Sequence, residues 1–460
     1  METLQRTANR GSISTGYDID NSLKLEIDNN EWIYRSSPTA GNRTTFTISL
    51  WLKRACLGHT PAGSDEYLAG QGSNARYHFA NDTIRFMFES NSTELESTRV
   101  LRDPSAWYHI VLAVDTTQGT AADRVKLYIN GEQEAWNNTE YPSLNQESDW
   151  MNTQNLYIGT RYAGDGDNDL AGYISEVVVL DGTQASPTDL GKYDEDSGIW
   201  KPIDVSGLTF GSEGFYYKFD NAGSLGEDSS GNGNDATLNN ITAADQATDT
   251  PTNNFCTWNP LWAYQYQPTI KEGATVAAYG DSTDENAKAT IGLTNGKWYW
   301  EAKPSGTIGS QFIGISTDGD SNISSGQGLT QNYQMTIEPQ GRYYSYAGSL
   351  SESAAGQFTA LTTSDTLGIA LDMDSATQTI KYYANGSLIL TRDLISEMQG
   401  RTVFPFLQNY ESRTFNINFG GYTINTISSA ASDENGYGTF EHAPPTGYYA
   451  ICTKNLAEYG

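Results

Sequence analysis

The chain has 460 residues, more than one ordinary core holds, so two or three domains are expected. Hydrophobic residues make up only 37%, but 29 Tyr, 15 Phe and 10 Trp supply the bulk for cores built from few side chains. With 27 basic against 56 acidic residues the net charge is −29, which excludes nucleic acid and anionic membranes as partners and leaves high salt, divalent cations, a cationic partner or plain solubility.

No stretch approaches about 18 consecutive apolar residues, so no membrane insertion is expected. The opening METLQRTANRGSIST has no apolar run and no secretory signal is expected from it. Residues 1–20 read as an N-terminal arm, with Arg6 and Arg10 suited to an acidic neighbouring subunit and a disordered tail as the alternative. Cys56, Cys256 and Cys452 are too scattered for a disulfide framework, and none of the four His stands at zinc spacing from a Cys, so all three thiols read as free.

Period-2 strands begin at SLKLEID, where Leu23, Leu25 and Ile27 share a face. TFTISLWLKR aligns Phe46, Ile48, Leu50 and Leu52. WYHIVLAVD aligns Tyr108, Ile110, Leu112 and Val114 and turns His109 to the other face, as a structural histidine. VKLYING aligns Val125, Leu127 and Ile129 before an Asn130-Gly131 turn, and GYISEVVVLDG is a further strand. No helical period is sustained, so this half predicts an antiparallel β-sandwich. In AGDGDNDLAG, Asp165, Asp167 and Asp169 fall two residues apart, and Glu176 holds the twelfth place of an EF-hand count. Leu170 stands where that loop needs Gly and no helices flank it, which leaves a non-EF calcium loop or a solvated acidic loop.

Further on, GFYYKFD alternates Phe215, Tyr217 and Phe219, and GEDSSGNGNDATLNN follows. The pair reads as an ordered inter-domain connector over 205–250: a strand, a Gly/Asn turn and a short return, with Asp228 a weaker calcium candidate. Strands then recur in GKWYWEAK, QFIGIST, QMTIEP, TLGIALDMD, TIKYYANG, FPFLQN and FNINFG, predicting a second sandwich over 251–460. VLAVDTTQGTAADRVKLYING and LGIALDMDSATQTIKYYANG share one order: strand, Asp, polar turn, strand, Asn-Gly. Tyr and Trp in polar, turn-like settings are the candidate ligand contacts, because an aromatic ring stacks on a sugar face. They are Trp150, Tyr162, Tyr333, Tyr343, Tyr344, Tyr346 and Tyr410. In GRYYSYAG, Tyr344 and Tyr346 share one strand face and Tyr343 takes the other.

SLKLEID, FTISLWLKR, WYHIVLAVD, VKLYINGE, NLYIGT and AGYISEVVVLDG together resemble the laminin-G-like, concanavalin-type jelly rolls, over 21–204. GKWYWEAK through DTLGIALDMDSATQTIKYYANG to FNINFGG and PPTGYYAICTKNL resemble SPRY domains. The order of the two, with SPTDLGKYDEDSGIWKPID and DTPTNNFCTWNPL between them, resembles virion proteins of tailed, particularly marine, bacteriophages. The resemblance implies an all-β protein of two sandwiches on the virion surface or tail. It implies attachment to a host glycan or protein receptor, homo-oligomers among other virion proteins, and calcium as an optional ion at a jelly-roll rim. The alternative is a capsid decoration or cement protein.

A third reading is enzymatic. EIDNNE resembles the E-x-D-x-x-E signature of laminarinase-like hydrolases, with Glu26 as nucleophile, Asp28 between, and Glu31 as acid/base. A retaining pair needs its carboxyls about 5–5.5 Å apart on one cleft face. Asn29 and Asn30 favour a turn that reverses the chain before Glu31, and the laminin-G-like resemblance places a hairpin there. The expectation is therefore a non-enzymatic protein with no required cofactor.

Overall fold

A computed structural model describes residues 16–460 except 37, 56, 58–64, 73, 90–93, 139, 166–167, 263–267, 279–283, 318–332 and 411–412, and no side chains at 284 and 410. The chain forms two compact units, one of Ser14–Arg54 with Gly58–Thr252 and the other mainly of Asn253–Gly460. The architecture is all-β, with one short helix, α1 (Thr453–Tyr459), among the described residues.

In the first unit the strands run β1 (Ser22–Leu25), β2 (Trp32–Arg35), β3 (Thr45–Arg54), β4 (Glu66–Gln71), β5 (Ala75–Ala80), β6 (Thr83–Met87), β7 (Leu95–Val100), β8 (Trp107–Asp115), β9 (Val125–Ile129) and β10 (Glu132–Gln133). They continue with β11 (Leu156–Ile158), β12 (Gly172–Asp181), β13 (Gly191–Tyr193), β14 (Trp200–Pro202), β15 (Phe215–Tyr217), β16 (Ala236–Asn239) and β17 (Gln246–Ala247). An eight-stranded sheet has the order β10-β9-β8-β3-β12-β1-β17, with β15 also on β12; a seven-stranded sheet has the order β16-β2-β11-β4-β5-β6-β7. One core fills the space between them. Phe46, Ile48, Leu50, Leu52, Ile110, Leu112, Val114, Leu127 and Ile129 enter it from the first sheet, and Ile33, Leu68, Tyr77, Phe79, Ile84, Phe86, Leu156 and Ile158 from the second. The alternation expected from the sequence is thus the alternation of which side chains enter this core, while the residues between them on β3 and β8 are buried on the sheet's other face.

The hairpin expected at EIDNNE is not formed. Ile27–Asn29 make one 3-10 turn that ends on Asn30 in the left-handed region (φ 53°), and the chain crosses from β1 in one sheet to β2 in the other. The same Asn-rich turn serves either topology; pairing with β12 and β11, far along the chain, decides it.

The stretch 205–250, read as a connector, contributes β15, β16 and β17 to the first unit's sheets. Residues 226–235 lie in the turn between β15 and β16 and 236–239 are β16 itself, so the stretch crosses from the eight-stranded to the seven-stranded sheet. Asp228 organises it, accepting hydrogen bonds from the backbone N–H groups of Tyr216, Ser230 and Asn234 at 2.8–2.9 Å and from Ser230 Oγ at 2.8 Å. Farther on, Asp249 forms a buried ion pair with Lys53 at 2.6 Å and accepts the Trp107 indole N–H at 3.0 Å, tying 245–252 to the strands β3 and β8.

In the second unit the strands are β18 (Thr269–Lys271), β19 (Val276–Ala278), β20 (Asp284–Lys288), β21 (Lys297–Gly306), β22 (Gln311–Thr317), β23 (Gln334–Glu338) and β24 (Arg342–Tyr346). After them come β25 (Leu350–Glu352), β26 (Leu367–Asp372), β27 (Thr379–Ala384), β28 (Ser387–Asp393), β29 (Val403–Tyr410), β30 (Arg413–Asn418) and β31 (Tyr449–Ala450). One sheet has the order β18-β19-β30-β21-β26-β27-β28, with β31 parallel to β21, and the other β20-β29-β22-β23-β24-β25. The hairpin shared in sequence is shared in structure. β8 pairs with β9 and β26 with β27, and Asp115 and Asp372 each accept backbone and hydroxyl donors from the polar turn that follows. Both Asn-Gly turns then carry positive φ at both residues, 51° and 81° for Asn130-Gly131 and 49° and 77° for Asn385-Gly386, the geometry that matches strand twist.

Candidate functional site

The two sheets of the first unit differ on the face away from their common core. On the eight-stranded sheet, Val111, Val178 and Leu180 are covered by Ala185, Leu190, Val205, Phe210 and Tyr216, a second apolar layer from the chain after β12. His109 is buried in this layer. It stacks on Trp51 at 4.6 Å and accepts the Trp200 indole N–H on Nδ1 at 2.9 Å. Indole only donates, so the His109 proton sits on Nε2, which donates to Ser49 Oγ at 2.9 Å. Burial pushes the His109 pKa down to about 3, and with its one acceptor atom occupied it has no lone pair for base catalysis.

The seven-stranded sheet carries aromatic and charged side chains on its outer face. Tyr34 and Tyr157, directly opposite on β2 and β11, stack at 5.3 Å, and Trp32 meets Tyr157 edge-on at 5.4 Å. Beyond them Gly70 stands opposite both Tyr157 and Arg76. A side chain at Gly70 would overlap the Arg161 carbonyl oxygen, so glycine lets the segment after β11 cross the sheet here. That crossing presents Tyr162, whose ring lies under the Arg161 guanidinium at 4.6 Å. Tyr157 and Tyr162, with Pro38, Gly72, Thr153, Gln154 and Asn155, line a cleft of about 520 Å3. Asn155 Nδ2 donates to the Tyr157 hydroxyl at 3.3 Å. Such a cleft offers ring faces, amides and hydroxyls at once, the means by which a protein grips a sugar.

One pleat away, Tyr67, His78 and Arg85 form a second row across β4, β5 and β6. His78 Nε2 lies 3.7 Å from Asp65 and 3.6 Å from Glu94, yet burial lowers its pKa to about 4, so it is neutral near pH 7.

Of the aromatics expected to contact ligand, Tyr162 alone lines this cleft. Trp150 corrects the sequence reading: it is fully buried in the common core, stacked on Phe86 at 5.7 Å, with its N–H donated to the Met87 carbonyl. Flanking polar residues made it look exposed; the strand pairing that buries it is non-local. Tyr344 is a second correction, buried with its hydroxyl on Glu338 at 2.9 Å. Tyr343 faces the opposite way, level with Ile337 and under the Arg392 guanidinium at 5.1 Å. Tyr346 is half-buried opposite Gln334, and Tyr333 lies under Arg401 at 4.9 Å. The Tyr410 side chain lies outside what is described. Sequence reading missed Tyr34 and Tyr157 because they sit in short runs that look wholly buried. Tyr157, at 9% exposure, is nearly so.

The acidic candidates do not converge. Glu26 and Glu31 are buried while Asp28 is exposed, so the three line no common cleft. Glu31 is bound by Lys24 at 2.8 Å, and Lys24 also pairs with Asp245 at 3.0 Å. Asp165 is held by Arg161 at 2.6 Å, Asp169 is buried, and Asp167 lies outside the described residues. Asp228 does not fit a metal, because its oxygens are already filled by four donors. Among the described residues no three His, Cys, Asp or Glu side chains gather as a cation cradle.

A family model described as the concanavalin A-like lectin/glucanases superfamily matches residues 28–187. No curated protein matches the sequence. Among solved structures, a protein from Bacteroides ovatus ATCC 8483, provisionally described as carbohydrate binding, is 18% identical with a TM-score of 0.34 over 48% of this chain, which spans 59% of that protein. The TRIM65 PSpry domain is 14% identical with a TM-score of 0.27, covering 35% of this chain and 89% of its own. The SPRY domain of human HERC1 is 14% identical with a TM-score of 0.26, covering 34% and 92%.

Proposed function

We propose that the protein is a non-enzymatic attachment protein that binds glycans on a cell surface through the outer face of its seven-stranded sheet. The observation that carries this reading is the asymmetry of the first unit: one sheet is sealed by a second apolar layer, while the other leaves an aromatic-walled cleft open. The lectin/glucanase family match over the same residues supports it, as does the dispersal of Glu26, Asp28 and Glu31, which removes the carboxylate pair a hydrolase would use there. The setting we propose is a tailed-phage virion, with homo-oligomers among other virion proteins and a bacterial surface glycan as the receptor. That setting rests on the order of sequence motifs.

The test is binding of the labelled full chain to bacterial cells before and after periodate oxidation of their surface glycans. Loss of binding after oxidation is expected. Binding that survives oxidation but is lost on protease treatment of the cells would place the receptor among proteins instead.

A further inference from the structure

We propose that the cleft between Tyr157 and Tyr162 takes an uncharged sugar unit rather than a uronate or a sulfated sugar; this rests on the glycan-binding reading above. Among the described residues its lining contains no acidic or basic side chain, in a chain with 27 basic and 56 acidic residues. The charged side chains beside Tyr162 are paired with each other. Arg161 donates to Asp165 at 2.6 Å and to the Tyr162 hydroxyl at 3.1 Å, and the Asp165 side chain is only 4% exposed. Arg76, which has no ion pair among the described residues, stands beyond Gly70, where the Arg161 backbone crosses between it and Tyr157. A carboxylate or sulfate entering the cleft would therefore give up water without gaining a counter-charge.

An uncharged sugar meets no such cost. Its ring face lies on tyrosine, and its hydroxyl or acetamido groups exchange hydrogen bonds with carboxamides, which both donate and accept. Gln154 is placed for this by Gly72. Gly72 adopts φ 62°, and any side chain there would overlap Gln154 Oε1, so the absence of one is what lets the amide lie in the cleft wall.

The experiment is an array of uncharged, uronate-containing and sulfated glycans probed with the full chain at low and high salt. Binding is expected on uncharged glycans, nearly independent of salt because no ion pair forms, and weakened about tenfold by Tyr162→Ala and by Gln154→Ala. Unfolding curves confirm that both variants remain folded. Binding confined to uronate or sulfated glycans and abolished by salt would overturn the inference and leave the glycan-binding reading standing. Binding to uncharged glycans that neither folded variant weakens would overturn the assignment of the cleft. Absence of binding on every panel would overturn both.

Discussion

The two sheets of the first unit share one core but differ on their outer faces, one under an apolar layer and the other beside a cleft. The eight-stranded sheet is closed on its far side by Leu190, Val205, Phe210 and Tyr216, and its polar groups there, His109 and Asp249, are consumed by Trp200, Ser49, Lys53 and Trp107. Among the described residues no such apolar layer lies over Tyr34 and the cleft at Tyr162 on the seven-stranded sheet. The lesson is that in a sandwich the binding face is set less by the strands than by where the chain goes after them. Here the segment following β12 covers the outer face of the eight-stranded sheet.

Three substitutions probe this contrast. Trp150 belongs to the core shared by both sheets, so Trp150→Ala should cost about 4–5 kcal/mol and lower the urea midpoint of the whole first unit. A midpoint near that of the parent would mean that the two sheets do not depend on that core. Phe210→Ala, in the layer over one sheet only, should cost about 3 kcal/mol yet leave glycan affinity of the folded protein unchanged. A matching loss of affinity would show that the covered face takes part in binding.

Glu176 gives the smallest effect and a pH signature. It sits in the β12 bulge at φ 49°, buried, and accepts hydrogen bonds from the Tyr216 and Tyr17 hydroxyls. Burial raises its pKa from 4.5 to about 7. The folded state therefore holds this proton more tightly than the unfolded chain. Its stabilising contribution is complete below 4.5 and is lost as pH rises through about 7. The loss should be on the order of 2 kcal/mol, and Glu176→Gln, which stays neutral, should flatten it. An unchanged pH profile in that variant would assign the dependence to other groups.

The parts of this fold that were legible in the sequence are those set by neighbours along the chain. Alternation in TFTISLWLKR and WYHIVLAVD marked the inward residues, and Asn130-Gly131 and Asn385-Gly386 marked tight turns because few other residue pairs tolerate positive φ twice. What was not legible depends on partners far away. The crossing at Ile27–Asn29, the folding of 205–250 into the first unit's sheets, and the burial of Trp150 follow from pairings that span about 40 to more than 200 residues, or from packing between sheets. Tyr162 could be suspected from its polar setting, but Tyr157 and Gln154 became visible only when Gly70 and Gly72 brought distant backbone and side chains over them.

Hydrogen–deuterium exchange of the full chain, with and without a glycan that it binds, tests the central claim most directly. The account predicts slowed exchange confined to residues 153–162 and the neighbourhood of Gly72, with no change over residues 185–216 of the covering layer. Protection that falls on the covering layer or on the second unit, with 153–162 unchanged, would contradict it.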